Sequence, residues 1–119
     1  MKRPSDFSQI LLHRNPVDMR KQAAGLSHLI SETFGEQSFQ PDRLYIFSNK
    51  RKKILKCPYW DKTGFALWTK VLDQEIFPWP KKHQNEAVVL NAEQLSWLLE
   101  GIDIWNLKKH ESVSFERVF

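Results

Sequence analysis

Residues 59–68 read YWDKTGFALW, and the fold turns on how the middle of that stretch is interpreted. Asp61, Lys62, Thr63 and Gly64 form a turn signal, because aspartate can bond its own backbone and glycine tolerates positive φ. Residues 54–60 before the turn and 65–72 after it are rich in aromatic and branched side chains, the composition of paired strands. A loop of about four residues closing on Gly64 suits a hairpin with a type I turn and a bulge. The expectation is a hairpin at the centre of a small sheet, with both helices packed on it.

Working back toward the N-terminus, Leu44-Tyr45-Ile46-Phe47 reads as a strand over about 43–48, joined to the hairpin by Ser48, Asn49 and the run Lys50-Arg51-Lys52-Lys53. Alternation places Tyr45 and Phe47 on one face and Leu44 and Ile46 on the other. Apolar groups on both faces imply a sheet covered on both sides. Pro58 lacks an N–H, which argues for an edge position or a bulge there. Residues 35–42 are a loop. Before it, Asn15 as cap, Pro16 as first helical residue and Asp18 near the helix start predict a helix over 16–34. Met19, Ala23, Leu26, Ile30 and Phe34 make its apolar stripe, and Gly35 ends it. Arg20, Lys21 and Gln22 lie off that stripe. Residues 7–13 (FSQILLH) suit a short strand.

Toward the C-terminus, Ile76-Phe77-Pro78-Trp79-Pro80 is extended, since each proline restricts its predecessor. Residues 81–86 form a polar loop, and 87–90 add a short strand. Asn91 caps a second helix over 92–100, with Gln94 completing a capping box. Leu95, Leu98, Leu99 and Ile102 form its buried stripe, and Gly101 ends it. The whole is expected to be one α+β domain over 1–119, with a core of about 10–105 and a tail over 106–119. Its sheet should be small and mainly antiparallel, with the central hairpin at about 54–72 and the two helices packed on it.

At 119 residues the chain can bury a real core but is short for a multidomain enzyme. No apolar run reaches the roughly 18 residues of a membrane helix, and no signal peptide is visible. The single Cys57 has no disulfide or CxxC partner. A cytoplasmic protein is expected. Net charge is +4, but its placement says more: residues 43–82 hold ten Lys/Arg against three acids, while the remainder holds eight against eleven. A surplus of seven on the expected sheet suggests a polyanionic partner.

Four segments then resemble a known family: PVDMRK (16–21), LYIFSNKRKKILK (44–56), YWDKTGFALWTKVLDQEIFPWP (59–80) and LNAEQLSWLLEGID (90–103). Together they are similar to the small accessory protein, the TnpB or second-reading-frame type, of the insertion-sequence family numbered sixty-six. The order and spacing hold over about residues 10–105. Phe47 and Asn49 match that family's strand-and-loop signature; Ser48 stands where an arginine is usual, Lys53 where an acid is common, and Pro58 where an apolar residue is found. The resemblance implies a bacterial, transposon-encoded accessory factor that works beside a separate, larger DDE-type transposase. It carries over no catalytic residue.

Lys50, Arg51, Lys52 and Lys53 are the leading functional signal. Four cations in a tight loop repel one another, and phosphates relieve that repulsion. The plainer reading is a solvated loop that keeps a sheet edge soluble. Arg20 and Lys21 are either exposed helical charges or contacts near a helix N-terminus, and Asn49 is a candidate for base recognition. Trp60, Trp68 and Trp79 could stack bases, but aromatics at strand spacing more often fill a core. Asp61, Asp73 and Glu75 do not make a convincing metal triad, since Asp61 has a sufficient turn role. The histidines are scattered, and no Walker loop, zinc spacing or Ser/His/Asp arrangement is present. The expectation is therefore a non-enzyme without metal, cofactor or small-molecule substrate, binding DNA, the transposase or both. The alternative is an adaptor that meets only an acidic protein surface.

Overall fold

The computed structural model describes residues 3–18, 20–21, 23–35, 42–81 and 86–105. A single 3₁₀ turn, Pro4–Asp6, leads into β1 (Gln9–His13), α1 (Ala23–Phe34), β2 (Arg43–Ser48), β3 (Ile54–Asp61), β4 (Gly64–Val71), β5 (Ala87–Leu90) and α2 (Ala92–Leu99). The five strands form one sheet in the order β4-β3-β2-β1-β5. Strand β1 runs parallel to β2 across the α1 crossover, and the remaining neighbours are antiparallel. This is the expected α+β fold, with a mainly antiparallel sheet and two helices.

The alternation along the strands sorts two cores. Leu11, Tyr45 and Phe47 face α1 and pack with Leu26 and Ile30. Ile10, Leu12, Leu44, Ile46, Leu55, Cys57 and Leu90 face the other way and pack with Leu95 and Leu98 of α2. Phe77, from the extended segment after β4, is buried in this second core. Beside it lies an apolar cavity of about 180 Å³ lined by Pro4, Phe7, Tyr59, Trp68 and Leu99 among others. Burial pushes the Cys57 thiol far above its ordinary range, so it serves as an apolar filler.

Several expectations are corrected. The hairpin is β3–β4, but it is not the centre of the sheet: β4 is an edge, and β2 sits in the middle. A parallel β1–β2 pair forms through the crossover and displaces the hairpin to one side. Helix α1 consequently covers β1 and β2, and only Trp60 of the hairpin packs against its core.

The first helix starts at Ala23, not Pro16. The backbone before it has other partners: Arg14 N–H donates to the Glu86 carbonyl at 2.8 Å and Val17 N–H to the Ser48 carbonyl at 2.9 Å. Those donors hold 14–17 extended beside the sheet. The expected stripe residue Met19 lies outside the described residues, as does Gln22.

Gly64 is not the positive-φ residue of the turn. That angle belongs to Lys62, at φ 53°, and Asp61 pairs directly with Gly64 across a two-residue loop. Pro58 causes neither an edge nor a bulge. Strand β3 is internal and stays in regular register with β4, but its ladder with β2 is confined to Lys56 and Leu55. Leu72 N–H donates to the Lys53 carbonyl, so odd residues of β3 bond toward β4 and even ones toward β2. Pro58 therefore removes a donor on the β2 side, where the ladder ends.

Helix α2 is capped as expected. Asn91 Oδ1 accepts from the Gln94 N–H at 2.7 Å, and Gln94 Oε1 accepts from the Asn91 N–H at 2.9 Å. Gly101, at φ 87°, closes it in a Schellman motif, with Ile102 N–H reaching the Trp97 carbonyl. That reversal takes Ile102 out of the stripe, and it is 43% exposed.

Candidate nucleic-acid interface

Parallel pairing brings the C-terminal ends of β1 and β2 side by side. Three segments leave that end of the sheet, 14–21, 49–53 and 72–81, and β5 begins there next to Glu86. Backbone bonds tie them together. Val17 N–H reaches the Ser48 carbonyl, and Phe77 N–H reaches the Lys52 carbonyl at 2.7 Å. Trp79 Nε1–H donates to the Arg14 carbonyl at 2.7 Å. The described residues of these three segments hold eight cations against three carboxylates, with Glu86 beside them as a fourth.

The basic run forms the β2–β3 turn. Asn49 shapes it: its Oδ1 accepts from the Lys53 N–H at 2.9 Å and from the Ile54 N–H at 3.2 Å. The side chain thus acts as a local scaffold. Ser48 is fully buried, and its hydroxyl donates to the Ile54 carbonyl at 2.9 Å. The four cations are not equivalent. Lys50 and Arg51 are exposed at the tip, whereas Lys52 and Lys53 are half-buried. Lys52 adopts φ 60° and turns back, its ammonium 5.6 Å from the Trp79 ring centroid and 3.2 Å from the Asn49 carbonyl. Partial burial lowers its pKa from the ordinary lysine value.

Arg20 and Lys21 are exposed at the same end, in the turn before α1. Asp18 engages Arg20 closely. Its carboxylate accepts from the Arg20 backbone N–H at 2.9 Å, from Nε at 3.0 Å and from a terminal guanidinium nitrogen at 2.7 Å. Those hydrogen bonds hold the Asp18 carboxyl at about 2, below its ordinary 3.8. Arg20 therefore carries its own counter-charge, and Lys21 is the less encumbered of the two.

The aromatics divide by role. Trp60 and Trp68 are half-buried against the two cores. Trp79 braces the basic turn, and Trp105 Nε1–H donates to the Pro78 carbonyl at 3.1 Å, anchoring the same strap. Asp61, Asp73 and Glu75 do not converge: Asp61 sits at the hairpin turn, at the end of the sheet opposite Asp73 and Glu75. Among the described residues, no group of three or more His, Cys, Asp or Glu side chains could hold a metal ion. No described helix is long and apolar enough to cross a membrane.

His13 is the polar residue that sequence reading passed over. It is 3% exposed and packed near Phe34 and Phe47, with Nδ1 donating to the Asn15 carbonyl at 2.8 Å. Its Nε2 lies 3.9 Å from a Glu86 carboxylate oxygen. Both residues line an open groove of about 520 Å³ under α1, with Asp18, Lys21 and Glu32 on its walls. The available signal was its place two residues after Leu11, on the same strand face.

The fold and this surface define a small α+β domain with a basic end built on the sheet's strand termini. Comparison with known proteins then settles its kinship. The profile of the family described as IS66 Orf2 like protein matches residues 8–109, and the chain belongs to that family of transposition-associated accessory proteins. It is 32% identical over 110 residues to the uncharacterized protein y4jC of Sinorhizobium fredii, covering 92% of each chain. It is also 38% identical over 60 residues to the uncharacterized protein y4hO of the same organism, about half of each chain. No solved structure matches it significantly.

Proposed function

We propose that this protein is a non-catalytic accessory factor that grips the DNA phosphate backbone during insertion-sequence transposition. It would act in the bacterial cytoplasm, alongside the larger transposase of the same element. The observation that carries this reading is the exposure of Lys50 and Arg51 at the tip of a turn braced by Asn49 and Trp79. Arg20 and Lys21 are exposed at the same end of the sheet and extend the basic surface. Phosphate contacts from such cations give salt-dependent affinity with little sequence preference. Lys53 adds to the field, while Lys52 supports the turn from behind.

A salt series of duplex-DNA binding tests it. Replacing Lys50, Arg51, Lys52 and Lys53 by Gln should weaken binding across sequences. The slope of log K against log salt should flatten by about two units or more, at about 0.9 per lost contact. An unchanged slope would remove the loop from the interface. Wild-type protein that holds the transposase but binds no DNA at moderate salt would establish the adaptor reading instead.

A further inference from the structure

The groove under α1 holds two polar atoms that do not match. His13 Nδ1 bonds the Asn15 carbonyl, which has only lone pairs to offer, so that nitrogen carries the proton. In the neutral ring Nε2 is therefore an acceptor, on a side chain that is 4% exposed. It faces a Glu86 carboxylate oxygen at 3.9 Å, a second acceptor and too distant for a hydrogen bond. Among the described residues, that oxygen accepts from Asn15 Nδ2 at 3.2 Å, and nothing donates to His13 Nε2.

The other carboxylates on the groove wall are already matched. Asp18 holds Arg20 at 2.7 Å, and Glu32 lies 2.7 Å from His28 Nε2. Lys21, the lysine on the wall, lays its stem along Gly25, and among the described residues no ion pair joins it to Glu86. Glu86 is thus the wall carboxylate without a cation, beside a buried nitrogen without a donor.

We propose that this pair is a binding site for a lysine ammonium of a protein partner. One nitrogen about 2.9 Å from both acceptors spans the gap between them, and an ammonium has three protons to donate. Its bond to Glu86 is charge-assisted, and the buried imidazole gains the donor that its lone pair lacks. Water bridges such a pair too, but it brings no charge to Glu86. The groove is open and about 520 Å³ in volume, enough to admit the side chain. The bearer is a protein because the groove's carboxylates repel a phosphate backbone, whereas a partner that handles DNA presents lysines. That choice of bearer rests on the DNA reading above; the ammonium site does not. Glu86 lies at the same end of the sheet as Lys50 and Arg51, which sets the partner beside the basic turn.

Nuclear magnetic resonance of the full chain, with isotopically labelled histidine rings, tests the site at about 0.15 M salt. The ring-nitrogen shifts read the tautomer, and His13 Nε2 should carry no proton at neutral pH. A capped peptide with two adjacent lysines should move the Nε2 resonance, and the same peptide with acetylated lysines should not. Glu86→Gln keeps the side chain's shape and the acceptor for Asn15, and should weaken the peptide about tenfold. Glu100→Gln removes the same charge at the C-terminal end of α2, on the other face of the sheet, and should leave affinity unchanged. A His13 ring doubly protonated in the free protein would close the pair on itself and overturn the proposal. So would an Nε2 resonance that the lysine peptide leaves in place, equal binding of the acetylated peptide, or full affinity in Glu86→Gln. Wild-type protein that binds the peptide but no DNA would sink the DNA reading and leave the ammonium site standing.

Discussion

Lys62 shows how a single backbone angle can be assigned to the wrong residue. A DKTG sequence points to glycine for positive φ, yet the angle falls on Lys62, and Gly64 opens β4 with ordinary strand geometry. A Cβ built on Gly64 meets nothing within 4 Å. Gly64→Val should therefore shift stability by no more than about 0.5 kcal/mol. Lys62→Val forces a β-branched residue into the left-handed region and should cost about 1–2 kcal/mol. Paired thermal melts check this, and the opposite ranking would return the positive angle to Gly64. Lys52 makes a comparable point, since its left-handed backbone turns its ammonium back toward Trp79 rather than outward with Lys50 and Arg51.

Among the elements, the segment before α1 departs most from a simple periodic pattern. Asn15, Pro16 and Asp18 spell a helix start, but the sheet claims the backbone donors of Arg14 and Val17 first. Asp18 then closes a local turn on Arg20 instead of capping a helix. Because its folded pKa is depressed, the turn's contribution is complete above the ordinary carboxylate range and disappears as pH falls through about 2. At neutral pH the carboxylate therefore occupies Arg20 and would compete with any phosphate brought to it. Asp18→Asn should tighten DNA binding and steepen its salt slope if Arg20 belongs to the interface. Titration of the variant beside wild type decides it, and an equal or weaker affinity would exclude Arg20.

The whole molecule has one sheet serving two apolar layers, with Leu26 and Ile30 on one side and Leu95 and Leu98 on the other. Strand β2 contributes to both, through Tyr45 and Phe47 on one face and Leu44 and Ile46 on the other. Neither layer can be lost without exposing the other through this shared strand. Leu26→Ala and Leu98→Ala should each cost about 2–5 kcal/mol. Both should lower one common transition seen by tryptophan fluorescence and by circular dichroism. Separate transitions for the two variants would mean that the layers unfold independently.

The strands 43–48 and 87–90, the capped second helix and the sorting of Leu44 from Tyr45 were legible from sequence, because alternation, capping chemistry and turn residues act over a few neighbours. The resemblance of the four segments likewise identified the family. Strand order was not legible: nothing local reveals that β1 and β2 pair in parallel, an arrangement that makes β2 the centre and β4 an edge. The same limit applies to the candidate interface. The basic residues could be read directly, but the division between exposed Lys50 and Arg51 and the inward-turned Lys52 depends on Trp79, more than twenty residues away in the chain. Sequence determined the local conformational choices and the charge. Tertiary structure decided which backbone donors were already taken and which cations remained exposed to solvent, because both depend on contacts between distant segments.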